Sequence, residues 1–258
     1  MYDEGRGVPV VIVQPLQGRW QWMRCFLDAL STECRVITYT LCGDFGADEC
    51  ASADGFDQYV HQLEGVIDRA GLERTALCGI SFGGTIALRY AARHPARVSH
   101  LVLASAPGPG WRTTREQSRY VSRPLLTFPL FVWGALGRLS AELAAAFPRV
   151  WDRLAFVTRT ALTALRYPTL PHIMARRVRL METVDLAAEA SHITAPTLIV
   201  TGDPALDHVV PVQSTRAYLS YIPNSRYEIM ENAGHTVSLI QPLRLARIVG
   251  GFINASRS

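Results

Sequence analysis

Three short segments of this chain carry residue types that can perform acyl-transfer chemistry together. The first is Gly79-Ile80-Ser81-Phe82-Gly83, a serine set between glycines. The second is Gly202-Asp203-Pro204-Ala205-Leu206-Asp207-His208-Val209-Val210-Pro211, which holds two carboxylates, and the third is Glu231-Asn232-Ala233-Gly234-His235. A serine hydroxyl is a weak nucleophile until a base takes its proton, and the base needs an acid to orient it. Ser81, His235 and either Asp203 or Asp207 supply those roles, in the chain order Ser, Asp, His.

The elements around these segments must place them at one point. Residues 75–80 form a short apolar run that reads as a buried strand, while Thr85, Ile86, Ala87, Leu88 and Tyr90 suit a helix packed on a sheet. Strand, sharp turn and helix make the setting in which G-x-S-x-G is a nucleophile elbow, and small residues at 79 and 83 let the two backbones approach. Further strands are predicted at 8–14, 35–40, 98–104, 196–202 and 226–230. Helices are predicted at 22–30, 56–70, 83–93, 213–222 and 241–253. This alternation predicts an α/β fold whose mostly parallel sheet is covered by helices on both faces. The two acids follow one strand and His235 follows the next, at the carboxyl ends where active-site residues of open α/β sheets gather. The alternation fails between about 108 and 190, where the pattern reads as helices broken by Pro124, Pro129, Pro148, Pro168 and Pro171. The predicted organisation is a core at 1–107 and 191–258 with an inserted helical cap, or lid, at 108–190. The aromatic residues Phe128, Phe131, Trp133, Trp151 and Phe156 suit either a pocket roof or the cap's own core.

With 258 residues, 48% hydrophobic and 19% charged, the chain can bury the core of one large domain. Its longest apolar stretch, Pro124 to Leu136, is interrupted at Thr127, Pro129 and Gly134 and is too short to span a bilayer. Met1 to Gly5 is acidic and reads as flexible, with no signal-peptide layout, and the C-terminus shows no targeting tail. The five cysteines (25, 34, 42, 50, 78) form an unpatterned odd set without zinc spacing. They are expected to be incidental thiols of a cytoplasmic protein, not a disulfide frame. All 26 basic residues are arginine, and residues 111–179 contain twelve of them against three acids. The plain reading of that excess is a solvated face. Attraction of an acidic substrate, an anionic surface or an acidic partner is the other reading. No nucleic-acid motif is present, so no nucleic-acid partner is expected.

The elbow Gly79–Gly83, the acid loop Gly202–Pro211 and Ala-Gly-His at 233–235 resemble the α/β-hydrolase fold superfamily, in its cap-bearing branch of esterases and related hydrolases. The resemblance covers about 8–107 and 191–254. It implies Asp207 as the acid, because the family commonly has an Asp four residues before a Pro there, with Asp203 as the alternative acid or a brace of the loop. It also implies an oxyanion hole built from the backbone N–H groups of Leu16 and Phe82. Here the chain departs from the family: Gln14-Pro15 stands where His-Gly is usual, although Leu16 keeps an N–H at the equivalent offset. The family tends to have one or two strands before the one at 8–14, and only seven residues precede Val8, so a sheet short at that edge is expected. The implied activity is a serine hydrolase cleaving a small carboxylic ester with an apolar part, without metal or cofactor. The alternatives are carbon–carbon bond hydrolysis, lactone opening or acyl transfer on the same triad, and a non-catalytic protein that binds a small ligand.

Overall fold

The computed structural model describes residues 1–47, 50 and 55–255, the side chains of Phe131 and Leu136 excepted. Its strands are β1 (Tyr2–Glu4), β2 (Pro9–Val13), β3 (Arg35–Thr38), β4 (Thr75–Ile80), β5 (Val98–Ala104), β6 (Thr197–Gly202) and β7 (Ser225–Met230). They form one sheet in the order β1-β3-β2-β4-β5-β6-β7. Every neighbouring pair is parallel except β1 with β3, which is antiparallel.

Strand periodicity divides the core into two. Successive side chains point to opposite faces, so Val11 and Val13 face one helix layer while Val10 and Ile12 face the other. The first layer contains α2 (Asp57–Arg69) and α3 (Phe82–Arg93), whose buried stripes include Tyr59, Leu63, Phe82 and Ile86. The second contains α1 (Arg24–Leu30), α10 (Val237–Ile240) and α11 (Pro242–Asn254), with α1 packed on α11. Phe26, Leu27 and Leu30 of α1 are fully buried there, each side chain contributing about 1.5–3 kcal/mol. A short helix, α9 (Val212–Arg216), follows β6.

Between β5 and β6 the described residues form five helices and no strand: α4 (Arg115–Ser122), α5 (Pro124–Ala146), α6 (Val150–Arg166), α7 (Pro171–Met181) and α8 (Leu186–Ser191). The capping box of Thr114 and Gln117 starts α4. The last helix, α8, buries Leu186 and Ala190 in the same cluster as α3, so it belongs to the helix layer over the sheet.

Four expectations need correction. The N-terminus is ordered: Tyr2–Glu4 pairs with β3, and Tyr2 is buried, with its hydroxyl 3.0 Å from Asp28 Oδ1. Three polar residues hid this strand, whose stability comes from the neighbour it pairs with. Pro129 does not break a helix; it lies within α5, near its start, where a missing N–H costs one ladder bond. Cys42 and Cys50 form a disulfide, because a tight turn through Gly43 and Gly46, both at positive φ, brings their Cα atoms within 5.0 Å. Cys25, Cys34 and Cys78 are free. With Cys42 and Cys50 paired, the cysteines do not point to a reducing compartment. Finally, Trp133 and Trp151 are each 78% exposed, so neither fills the cap interior, and the side chain of Phe131 lies outside the described residues. Phe156, by contrast, is buried. No described helix is long and apolar enough to cross a membrane.

Candidate active site

Ser81 occupies the turn between β4 and α3 with φ 52° and ψ −118°, a conformation L-residues rarely adopt. Such strain costs roughly 1–3 kcal/mol and persists only where the surroundings impose it. Here they do. The Ser81 N–H donates to the Ala104 carbonyl at 2.8 Å, and the Gly84 N–H donates to the Ser81 carbonyl at 2.8 Å. A Cβ at Gly79 would lie 2.4 Å from the Gly83 oxygen, and one at Gly83 would lie 2.3 Å from the Val13 oxygen. The two glycines are thus required by contact between backbones, and the hydroxyl is left projecting at the carboxyl end of the sheet.

His235 follows β7 and Asp207 follows β6, and their loops are bound to each other. The Asp203 N–H donates to the Ala233 carbonyl at 2.6 Å, and a Cβ on Gly202 would lie 2.0 Å from the Gly234 oxygen. This contact brings His235 Nε2 to 3.0 Å from Ser81 Oγ and His235 Nδ1 to 3.3 Å from Asp207 Oδ2. A proton on Nδ1, facing the carboxylate, leaves Nε2 free to accept from the serine. The other Asp207 oxygen accepts the Val209 and Val210 N–H groups at 3.0 and 3.1 Å. Asp203 faces elsewhere. Its side chain accepts from the Ala205 N–H at 2.8 Å, and its carbonyl accepts from Leu206 and Asp207, so it shapes the turn that presents Asp207.

The electrostatics favour the imidazolium–carboxylate pair. Burial, the largest influence on Asp207, opposes its charge. His235 and the two backbone N–H groups outweigh it and hold the carboxyl below its ordinary value. Burial likewise opposes a charged His235. Asp207 first and then Glu142 prevail over burial and over Arg138, leaving the imidazole above its ordinary value. His235 is therefore poised to hold a proton once it has taken one.

The N–H groups of Leu16 and Phe82 have no protein acceptor among the described residues. Phe82 opens α3, so its N–H lies at the positive end of a twelve-residue helix. Leu16 lies in the loop after β2, fixed from both sides. The Gln14 side chain, fully buried, donates to Thr38 Oγ1 and to the Ile12 carbonyl. From α7, Arg177 Nη1 donates to the Leu16 carbonyl at 2.9 Å. The same guanidinium meets Asp44 Oδ2 at 2.6 Å and the Cys42 carbonyl at 3.1 Å, wholly buried.

Two further groups at the site escape sequence reasoning. One is Arg177. The other is Glu142 on α5, 3% exposed, whose Oε2 accepts from the Gly234 N–H at 3.1 Å, the Thr236 N–H at 3.4 Å and the Thr236 hydroxyl at 2.6 Å. It grips the loop on both sides of His235. The only hint in the sequence is a lone acid among apolar residues in an arginine-rich segment, Leu139-Ser140-Ala141-Glu142-Leu143.

Residues 8–242 match the family model described as alpha/beta hydrolase fold. Among curated proteins, the chain is 28% identical to 2-hydroxymuconate semialdehyde hydrolase of Pseudomonas sp. (strain CF600), covering 98% of this chain and 89% of that one. It is 29% identical to the pimeloyl-[acyl-carrier protein] methyl ester esterase of Aliivibrio salmonicida (strain LFI1238), covering 90% and 87%. Among solved structures, the esterase of Exiguobacterium antarcticum superposes with a TM-score of 0.79 at 22% identity, covering 98% of this chain and 94% of the other. At that identity the structural likeness is one of fold.

Proposed function

The chain belongs to the alpha/beta hydrolase fold family, and from that premise we propose that it is a serine hydrolase cleaving a small carboxylic ester through an acyl-enzyme. The observation that carries this reading is the Ser81–His235–Asp207 relay, with 3.0 and 3.3 Å between its members. Ser81 Oγ attacks the carbonyl carbon while His235 Nε2 takes its proton. The negative charge that develops on the carbonyl oxygen meets the N–H groups of Leu16 and Phe82. As the tetrahedral intermediate collapses, the imidazolium gives its proton to the departing alcohol. Water then attacks the acyl group, His235 again accepting and returning the proton, and the acid leaves. Asp207 keeps its charge throughout and stabilises the imidazolium. We take residues 108–190, α8 excepted, as the cap that bounds the substrate side.

A second reading, hydrolysis of a carbon–carbon bond beside a carbonyl, draws support from the 2-hydroxymuconate semialdehyde hydrolase relative. The same triad serves it, with a carbanion equivalent in place of an alkoxide as leaving group. The deciding experiment has two stages. Fluorophosphonate labelling followed by peptide mass spectrometry is expected to put the adduct on Ser81, and a protein that does not react, or reacts elsewhere, removes both readings. A panel of acyl esters against vinylogous diketones then separates them: turnover of the diketones with esters left intact would replace the ester reading with the second.

A further inference from the structure

Helix α6 turns an apolar face to solvent. On α6, Val150, Leu154, Val157, Ala161 and Leu165 follow the spacing of one helical stripe, and all five are exposed. The opposite side of that helix carries Phe156, buried against Phe147 with ring centroids 5.7 Å apart. Beside the α6 stripe runs an open groove of about 570 Å³, bordered by Trp151, Leu162 and Tyr167 together with Arg159 and Arg166. An amphipathic helix of a globular protein ordinarily faces such a stripe inward. Here Phe156 already fills the inward side of α6, and the outward stripe is left over.

The helix is net positive: residues 149–166 hold Arg149, Arg153, Arg159 and Arg166 against one acid, Asp152. We propose that the outward face of α6 docks on an anionic lipid surface, lying in its interface without crossing it. Leucines entering the acyl boundary, tryptophans at headgroup depth and arginines against phosphates are the chemistry such a surface recognises. A second copy of this chain is the poorer occupant, because pairing this face with itself opposes arginine to arginine with a single exposed acid to offset them. No described helix is long and apolar enough to span, in keeping with docking at the surface. The inference does not depend on the ester reading.

The test is flotation of the full chain with vesicles of phosphatidylcholine, alone or with about one-third phosphatidylglycerol. The chain is expected to float with the anionic vesicles and to partition at least about ten-fold less into the neutral ones. Leu154→Glu with Leu165→Glu, at positions 52% and 80% exposed, is expected to keep the parent's circular dichroism and melting temperature and to lose flotation. Arg149→Glu with Arg166→Glu is expected to weaken partition by about five-fold or more per arginine. Failure of the parent to float with anionic vesicles overturns the proposal, as does a Leu154→Glu/Leu165→Glu protein that floats like the parent. A dimer seen by sedimentation without lipid, and abolished by that same pair, would assign the face to a second copy and overturn it equally.

Discussion

Replacing Glu142 perturbs the link between a cap helix and the histidine while leaving the three members of the relay in place. One carboxylate oxygen accepts three hydrogen bonds, from Gly234 and from the backbone and hydroxyl of Thr236. Glu142→Ala strands those donors in a buried or half-buried setting at about 1–3 kcal/mol each, so a total stability loss of at least about 3 kcal/mol is expected. Glu142→Gln is the sharper tool, because the amide keeps an acceptor oxygen and nearly the same shape. Exchanging charge-assisted for neutral hydrogen bonds costs about 1–2 kcal/mol, which the fold should survive. The informative readout is pH. Burial works against a protonated His235, Asp207 and then Glu142 work for it, and the balance lies above the ordinary imidazole value. Catalysis needs the neutral ring, so the acid limb of kcat/KM in the parent lies above that ordinary value, and in Glu142→Gln it moves to lower pH. Stability follows the same sign. A histidine raised on folding contributes stability that is fully present below its unfolded pKa, about 6.5, and is lost as pH rises through the folded value. The deficit of the variant should therefore be greatest on the acid side and narrow above it. The assay is a kcat/KM–pH profile with an activated ester, alongside thermal melts at matched pH. An acid limb that stays in place, or moves up, refutes the electrostatic role of Glu142.

The other predictions concern the relay and its supports. Ser81→Ala, which keeps the Cβ and hence the same backbone strain, should fold within about 1 kcal/mol of the parent's stability and lose nearly all ester turnover; retained turnover would remove Ser81 as nucleophile. Asp207→Asn should lower kcat by a factor of the order of 10⁴, since the amide favours the wrong imidazole tautomer. Asp203→Asn should cost far less, because that side chain accepts one backbone N–H within its own turn; the reverse ranking in steady-state kinetics would exchange their roles. Arg177→Ala strips buried Asp44 of its hydrogen-bonded counter-charge, leaving only the charge of Arg19, and releases the Leu16 carbonyl, so a loss of about 3–5 kcal/mol is expected in denaturant unfolding. A loss under about 1 kcal/mol would show the pair to be dispensable.

The positions of Ser81, Asp207 and His235 were legible because each follows a strand whose apolar run is local in sequence, and parallel topology sends every such loop to the same end of the sheet. Gly79 and Gly83 were legible for a similar reason, since the contact they relieve is between adjacent segments. The choice between Asp203 and Asp207 needed either the family pattern or the coordinates. Four residues separate them, and only the folded turn shows one carboxylate closing back on Ala205 while the other reaches His235.

What escaped the sequence shares one physical character: each feature depends on partners distant along the chain. β1 is stable because β3 lies beside it, and its three residues carry no period of their own. Glu142 and Arg177 count among the arginine-rich segment's scattered charges until folding buries them 92 and 161 residues from their backbone partners Gly234 and Leu16. The outward stripe of α6 has an ordinary amphipathic pattern, and its sequence cannot say which side of the helix the rest of the chain will cover. Local patterning therefore determined the elements and the order of the candidate triad, since backbone period and turn chemistry act over a few residues. Which charges are buried, which loops are gripped and which face is left open were decided by tertiary packing, because those energies belong to pairs that meet only when the whole sheet has assembled.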